Sequence, residues 1–178
     1  MITERQVTAG MSDEWLVSDF YTEAFPRNER IPWLKLLSLA PRMPLDFTAY
    51  YDDGRFVGLT VVYLREKVNW FWYFAVTKER RGQGLGQQII SRLLAKNGDK
   101  PIILDMESLD QPCDNIAQRL RRLRFYDRNG FHDTGVRRRF GDLEFAIMMC
   151  GDAVFTLDDF NTVLSELHAF WDEMPEAD

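Results

Sequence analysis

The chain has 178 residues, of which 46% are hydrophobic and 13% aromatic, a composition typical of one ordered globular domain with a substantial core. It carries 22 Lys and Arg residues against 28 Asp and Glu residues, and the formal net charge of -6 argues against a general nucleic-acid-binding protein. Residues 1–10 lack the apolar core of a signal peptide and no apolar stretch is long enough to span a bilayer, so we expect a cytoplasmic protein without a membrane partner.

The amino-terminal segment predicts a strand followed by two helices. Residues 2–9 alternate polar and apolar side chains, and residues 12–25 carry apolar side chains near helical spacing after Ser12, which we expect to cap the first helix. Residues 31–37 place Pro32 in the first turn of a second, shorter helix, where the N–H that proline lacks would have no helical partner.

The next segment predicts the middle of a β-sheet. An Asp-Gly pair at residues 53–54 separates two β-prone runs, residues 47–51 and 55–65, and therefore predicts a tight hairpin. Residues 68–76 are almost continuously apolar or aromatic, which is typical of a central strand covered on both faces.

Helices and strands alternate through the rest of the chain. The predicted elements are a helix over residues 85–96, a strand over 101–106, a helix over 115–128 and two paired strands over 131–140 and 143–150. Thr156 and Asp159 resemble a capping box, so a last helix is expected over about residues 156–173. The sequence leaves open whether this helix packs on the core or on a second copy of the chain in a homodimer.

The segment from Arg81 to Gly86 is the most informative in the chain, because it lies between the predicted central strand and the helix that follows. Glycines at alternate positions let a loop turn tightly and bring backbone N–H groups close to an anion, and the amino-terminal end of a helix favours negative charge. The expected ligand is therefore a pyrophosphate. The dinucleotide fingerprint would need glycine at Gln87, and the nucleoside triphosphate loop needs a Gly-Lys-Ser/Thr ending that is absent.

The order Arg81-x-x-Gly84-x-Gly86, after a hydrophobic strand that ends in Ala-Val, resembles the GNAT superfamily of acyl-CoA-dependent N-acyltransferases. Residues 125–131 resemble the Tyr-x-x-x-Gly-Phe element of the same family. The resemblance implies an α/β fold with a mixed, largely antiparallel central sheet, splayed between its fourth and fifth strands and flanked by helices. One domain over residues 1–178 is expected, with a core of about residues 1–150 and the last helix as an extension.

The resemblance also implies a reaction, in which a primary amine of a small molecule or peptide attacks acetyl-CoA directly in a ternary complex. Backbone atoms of Phe74 and Val76 would lie along the pantetheine arm, and the Val76 N–H would stabilise the developing oxyanion. Arg119 stands where many members carry a pantetheine-binding asparagine, so Asn115 is the substitute candidate, and its alternative role is a helix cap. The pyrophosphate would be held by the following residues: Arg81, Gly82, Gln83, Gly84, Leu85 and Gly86.

Tyr126 is the candidate general acid, because the matching tyrosine of the family commonly protonates the departing CoA thiolate; packing at a helix end is its alternative role. The predicted fourth strand carries no Asp, Glu or His that could act as the base. Glu107, just after the fifth strand, and Glu29, in the early helical loop, are the candidates, acting directly or through water. The alternative for each is an exposed carboxylate.

Other functions and sites are less well supported. Cys113 and Cys150 have neither CxxC spacing nor a histidine pair, so the sequence predicts no metal site and no cysteine nucleophile. Arginines are frequent in residues 119–128 and 137–139. They either form a solvated surface with salt bridges to acidic side chains, or attract the CoA phosphates or an acidic acceptor toward the site. Two rival functions stay open: a CoA-binding sensor without turnover, and a protein-interaction module that docks a partner on the early aromatic residues.

Overall fold

The computed structural model describes residues 1–27 and 29–172. These residues form seven strands, joined in one sheet, and five α-helices. The strands are β1 (Ile2–Gln6), β2 (Leu45–Asp52), β3 (Arg55–Tyr63), β4 (Asn69–Val76), β5 (Ile102–Glu107), β6 (Phe131–Phe140) and β7 (Leu143–Cys150). The helices are α1 (Glu14–Ala24), α2 (Trp33–Leu39), α3 (Leu85–Asn97), α4 (Ile116–Arg128) and α5 (Leu157–Asp172), and a short 3-10 turn spans Lys78–Arg80.

The strand order in the sheet is β1-β2-β3-β4-β5-β7-β6, so β4 is the central strand. Neighbouring strands are antiparallel except β4 and β5, which are parallel. The predicted mixed, largely antiparallel sheet is confirmed, and the continuous apolar pattern of residues 68–76 correctly identified its middle strand.

The sheet opens between β4 and β5. The two strands pair only at their first residues, where Asn69 lies opposite Ile102 and Trp70 opposite Ile103. The register between β3 and β4 then shifts, because Trp72 is an extra residue in β4. A bulge of this kind bends its strand and increases the local twist. The rest of β4 therefore diverges from β5 and leaves a wedge-shaped opening, which confirms the predicted split between the fourth and fifth strands.

Helices cover both faces of the sheet. Ile90 and Leu93 of α3 belong to a buried cluster on one face, against which residues of α4 also pack. Buried residues of α1, α2 and α5, including Leu36 and Phe160, form the larger cluster on the other face. Side chains of β4 contribute to both clusters, as expected for a central strand whose side chains alternate between the faces.

The last helix packs on the core of its own chain, with Phe160, Val163 and Leu167 buried. Its predicted capping box is present: the Thr156 N–H donates to the Asp159 carboxylate (2.8 Å), and the Asp159 N–H donates to the Thr156 hydroxyl (3.2 Å). The predicted end at residue 173 lies outside the described residues. Within the described ranges, no helix has the length and apolar character needed to cross a membrane.

The prediction that Ser12 caps α1 is wrong. Asp13 occupies the N-cap position, and no side chain caps the helix there. The Asp13 carboxylate instead accepts a hydrogen bond from the Tyr51 hydroxyl of β2 (2.6 Å) and lies 3.7 Å from the Arg5 guanidinium. The Asp13 side chain is thus used in a contact with the sheet, which could not be read from local spacing.

Candidate active site

The segment after β4 forms a loop at the amino-terminal end of α3. Gly82 and Gly84 have φ angles of +75° and +77°, a left-handed conformation that other residues rarely adopt. A Cβ atom at either position would meet no atom within 4 Å, so the backbone conformation, and not crowding, explains the glycines. Gly86 is different, because its Cβ would come within 3.3 Å of the Phe125 ring.

The loop presents backbone donors that the described part of the protein does not use. Among the residues that the structure describes, no acceptor is found for the N–H groups from Gly82 to Gly86. The loop residues Gly82, Gln83 and Gly84 are exposed, and the positive end of the α3 dipole lies beside them. This arrangement can bind an anion such as a diphosphate without displacing any protein contact.

The free edge of β4 faces the opening. The Thr77 N–H donates to the Val57 carbonyl of β3 (2.9 Å), so Thr77 points its backbone groups toward β3. Backbone groups alternate sides along a strand, and those of Val76 and Phe74 therefore point away from β3 and into the opening. The Val76 carbonyl accepts a hydrogen bond from Nε of Arg81 (3.1 Å), which holds this exposed side chain against the end of the strand.

Tyr126 lies on α4, beside the opening. Its ring contacts the Phe131 ring edge-on at 5.7 Å, and its neighbour Phe125 stacks on Phe74 of β4 at 6.0 Å. The side chain is half-buried, and within the described part of the chain its hydroxyl has no hydrogen-bond partner. Burial raises the pKa of Tyr126 to about 12, with opposing contributions from the charges of Arg122 and Asp105. The phenol therefore stays protonated at neutral pH and is able to donate.

Glu107 ends β5 and is held by cations. Its carboxylate lies 3.1 Å from Nη2 of Arg119 and 2.7 Å from Nη1 of Arg122, and it accepts a longer hydrogen bond from Asn115 (3.3 Å). Both carboxylate oxygens are thus occupied by guanidinium groups. Glu107 could take a proton only by weakening these pairs.

Asn115 stands at the N-cap position of α4 but does not cap it, so its alternative role as a helix cap is wrong. Its Oδ1 accepts a hydrogen bond from Nε of Arg119 (2.8 Å), and its Nδ2 donates to Glu107. Arg119 is buried and also donates to the Ser108 carbonyl (2.6 Å). Asn115 therefore belongs to a polar network at the carboxyl end of β5, and one of its amide hydrogens has no acceptor among the described residues.

Glu29 lies in the loop between α1 and α2, and its carboxyl group has no hydrogen-bond partner in the described ranges. Although the residue is exposed as a whole, partial burial of its carboxyl raises its pKa. The negative charges of Glu107 and Asp105 raise it further, while Arg122 opposes them. The Tyr73 hydroxyl of β4 donates to the Glu29 carbonyl (3.2 Å), so the main chain of Glu29 lies beside the diverging part of β4.

The same two charged groups act on the pKa of Glu29 and of Tyr126. Arg122 lowers, and Asp105 raises, the pKa of both residues. They come from opposite sides of the sheet, because Tyr126 is on α4 and Glu29 precedes α2. The charged groups that act on both residues belong to β5 and α4, where Glu107 also pairs with Arg119 and Arg122.

The sequence analysis missed Asp105. Its carboxylate accepts a hydrogen bond from the Trp70 indole (3.0 Å) and pairs with Arg138, whose guanidinium lies over the rings of Phe145 (4.6 Å) and Phe160 (5.0 Å). A lone carboxylate inside an otherwise apolar strand was the signal that could have identified it. The described residues contain no group of three or more His, Cys, Asp or Glu side chains placed to hold a metal ion.

Comparison with known proteins agrees with this geometry. Residues 45–133 match the family model described as an acetyltransferase (GNAT) domain, and this span is half of the 178-residue chain. The chain belongs to the GNAT acetyltransferase family. The matched segment runs from β2 into β6 and contains the glycine loop, the two strands β4 and β5 that border the opening, and Tyr126. The family resemblance of the two motifs is therefore confirmed.

Relatives of the GNAT family resemble this chain in sequence or in fold. YjbC, a provisionally assigned acetyltransferase of Bacillus subtilis strain 168, is 43% identical over 70 residues, which cover 38% of this chain and 34% of that protein. The chain thus aligns with about a third of the length of this curated relative.

Solved structures share the fold over most of the chain. A provisionally assigned GNAT acetyltransferase from Bacteroides thetaiotaomicron superposes with a TM-score of 0.73 and 19% identity, over 94% of this chain and 96% of that one. An aminoglycoside 6'-N-acetyltransferase complexed with coenzyme A gives a TM-score of 0.66 and 15% identity, over 83% of this chain and 95% of that one. At these identities the likeness establishes the fold alone.

Proposed function

We propose that this GNAT protein transfers the acetyl group of acetyl-CoA to a primary amine of a small molecule or peptide, by direct attack in a ternary complex. The observation that carries the proposal is the row of N–H groups from Gly82 to Gly86, for which the described residues supply no acceptor, at the end of the β4–β5 opening. The aminoglycoside acetyltransferase complexed with coenzyme A, which shares the fold, supports both the coenzyme and the amine.

Three groups of residues bind the coenzyme. The N–H groups of Gly82, Gln83, Gly84, Leu85 and Gly86 bind the diphosphate, and the Arg81 guanidinium adds charge beside it. Backbone groups of Phe74 and Val76 bind the pantetheine arm as an added strand binds a free edge. Asn115 offers its remaining amide hydrogen at the carboxyl end of β5.

Three groups carry the chemistry. Glu29 accepts a proton from the ammonium form of the acceptor, directly or through a water molecule, and the amine lone pair then attacks the thioester carbon. The Val76 N–H donates to the carbonyl oxygen as negative charge develops on it. When the C–S bond breaks, Tyr126 gives its proton to the departing sulfur, and the second proton of the acylated nitrogen is lost to water, which returns a proton to the Tyr126 phenolate.

Glu107 is assigned a supporting role. Its oxygens are paired with Arg119 and Arg122, whereas the Glu29 carboxyl has no hydrogen-bond partner among residues 1–27 and 29–172. We therefore assign the role of base to Glu29. The proposed role of Glu107 is to keep the Arg122 side chain near Tyr126 through their ion pair.

Two measurements test the proposal. Calorimetry measures the binding of CoA and of acetyl-CoA. A thiol reagent then measures the CoA released from acetyl-CoA in the presence of each candidate acceptor. The acceptors are an alkyl monoamine, a polyamine, an aminoglycoside and a peptide with a free α-amino group. Binding together with acetylation of an amine supports the proposal, and mass spectrometry identifies the product. Binding without transfer to any amine favours a CoA sensor, and the absence of binding refutes the assignment of the glycine loop.

Replacing Tyr126 with phenylalanine should lower kcat by about 100-fold, because the leaving thiolate loses its proton donor. Acetyl-CoA affinity should not change, since the ring still packs on Phe131. Tyr63→Phe is the matched control: burial raises the pKa of Tyr63 also to about 12, but Tyr63 lies on β3 and bonds Glu166. Steady-state kinetics with the best amine measures both variants, and an unchanged kcat in Tyr126→Phe removes this residue from the mechanism.

A further inference from the structure

The loop that carries Glu29 is fastened to the central strand by a buried tyrosine. The Tyr73 hydroxyl of β4 donates to the Glu29 carbonyl (3.2 Å) and accepts from the Ile31 N–H (3.1 Å). Tyr21 of α1 donates to the Ile31 carbonyl (2.9 Å). Tyr73 is 5% exposed, so water does not compete readily for these bonds.

Further contacts stiffen the same loop. The Glu29 N–H donates to the Pro26 carbonyl (2.9 Å), and Arg30 donates to the Phe25 carbonyl (2.7 Å). The Phe25 ring packs on the Tyr73 ring at 4.9 Å. The Glu29 carbonyl and the Ile31 N–H are thus tied to β4, while the Glu29 side chain is left without a hydrogen bond among the described residues.

The position of Tyr73 on β4 matters because the same strand borders the opening. Tyr73 follows the bulge at Trp72 directly, and Val76, whose N–H faces the opening, is on the diverging part of the same strand. The segment from Tyr73 to Val76 therefore holds the loop of Glu29 at one end and carries the Val76 N–H at the other. Groups that must act on one substrate gain rate when the scaffold fixes their separation.

We infer that Tyr73 is a positioning residue, whose hydroxyl holds the main chain of Glu29 so that the carboxyl group stays at the rim of the β4–β5 opening. This inference rests on the proposed function for the role of Glu29. Tyr73 itself acts through the loop, because its hydroxyl is used by the Glu29 carbonyl and the Ile31 N–H.

The ionisation of Glu29 reports its position. Partial burial and the charges of Glu107 and Asp105 raise the pKa of Glu29. If the loop is released, the carboxyl gains water and moves away from these charges, so its pKa falls toward the ordinary value. If Tyr73 contributed only to the stability of the fold, its replacement would not change the pKa of Glu29.

The test is Tyr73→Phe, which keeps the ring and removes the hydroxyl. In the full chain, carbon NMR follows the titration of the Glu29 carboxyl, and hydrogen exchange follows the Ile31 amide. We expect a lower Glu29 pKa, exchange of the Ile31 amide at least about tenfold faster, and a reduced kcat at unchanged KM for acetyl-CoA. Tyr21→Phe should loosen the loop less, because it frees only the Ile31 carbonyl.

Tyr50→Phe is the matched control, since Tyr50 is an equally buried tyrosine whose hydroxyl bonds the Thr60 side chain away from this loop. It should leave the Glu29 titration and the Ile31 exchange unchanged. The inference is overturned if Tyr73→Phe also leaves both unchanged. The kinetics of Glu29→Gln, alone and combined with Tyr73→Phe, separates the two proposals. A normal kcat in Glu29→Gln refutes the role of Glu29 as base. If the two substitutions raise the activation free energy additively in the double variant, positioning through Glu29 is refuted.

Discussion

Gly84→Asp is expected to lose CoA binding while the protein stays folded. Gly84 has a φ angle of +77°, and a Cβ there meets no protein atom within 4 Å, so the added side chain projects into the space in front of the loop. In the proposed complex that space holds the diphosphate. Two unit charges about 4 Å apart near a protein surface repel by roughly 4 kcal/mol, which corresponds to an affinity loss of about 1,000-fold.

Gly84→Asn is the matched control, because asparagine has the same size and, like aspartate, tolerates a positive φ better than other side chains. It should weaken CoA binding less than aspartate does, and the difference measures the charge. Calorimetry at two salt concentrations gives both affinities, and circular dichroism checks the fold. If Gly84→Asp binds CoA as tightly as the unaltered protein, the diphosphate does not lie on this loop.

Features with a local signal were predictable from the sequence. The glycines of the loop, the capping box at Thr156 and the apolar run of β4 each depend on residues close together in the chain. The split of the sheet was expected from the family resemblance, and the structure adds its cause, since the bulge at Trp72 turns β4 away from β5. A bulge shifts the alternation of side chains by one residue, but residues 70–76 are all apolar or aromatic, so periodicity could not locate it.

The polar organisation of the site could not be predicted, because it depends on contacts between distant segments. Glu107 and Glu29 looked alike in the sequence, yet one is paired with Arg119 and Arg122 and the other has no partner in the part of the chain described. Tyr73 resembled the other aromatic residues of β4, and its hydrogen bonds reach a loop more than 40 residues away. Such differences of environment decide which carboxylate can act as a base.

Glu29→Gln should lower kcat by about 100-fold, since the amide cannot accept the proton of the acceptor amine. A carboxylate acts as a base only when ionised, so kcat/KM of the unaltered enzyme should rise with pH as Glu29 loses its proton. The pKa of Glu29 is raised above 4.5, and this acidic limb therefore lies above the pH of an ordinary glutamate. In Glu29→Gln the limb should disappear, leaving only the ionisation of the amine.

Glu107→Gln separates the two carboxylates. It removes the negative charge that pairs with Arg119 and Arg122, so we expect lower stability but a retained acidic limb. The pH profiles of both variants, measured with the same amine at saturating acetyl-CoA, decide the assignment. If the limb persists in Glu29→Gln and vanishes in Glu107→Gln, the base is Glu107, and its guanidinium partners must then release it during each turnover.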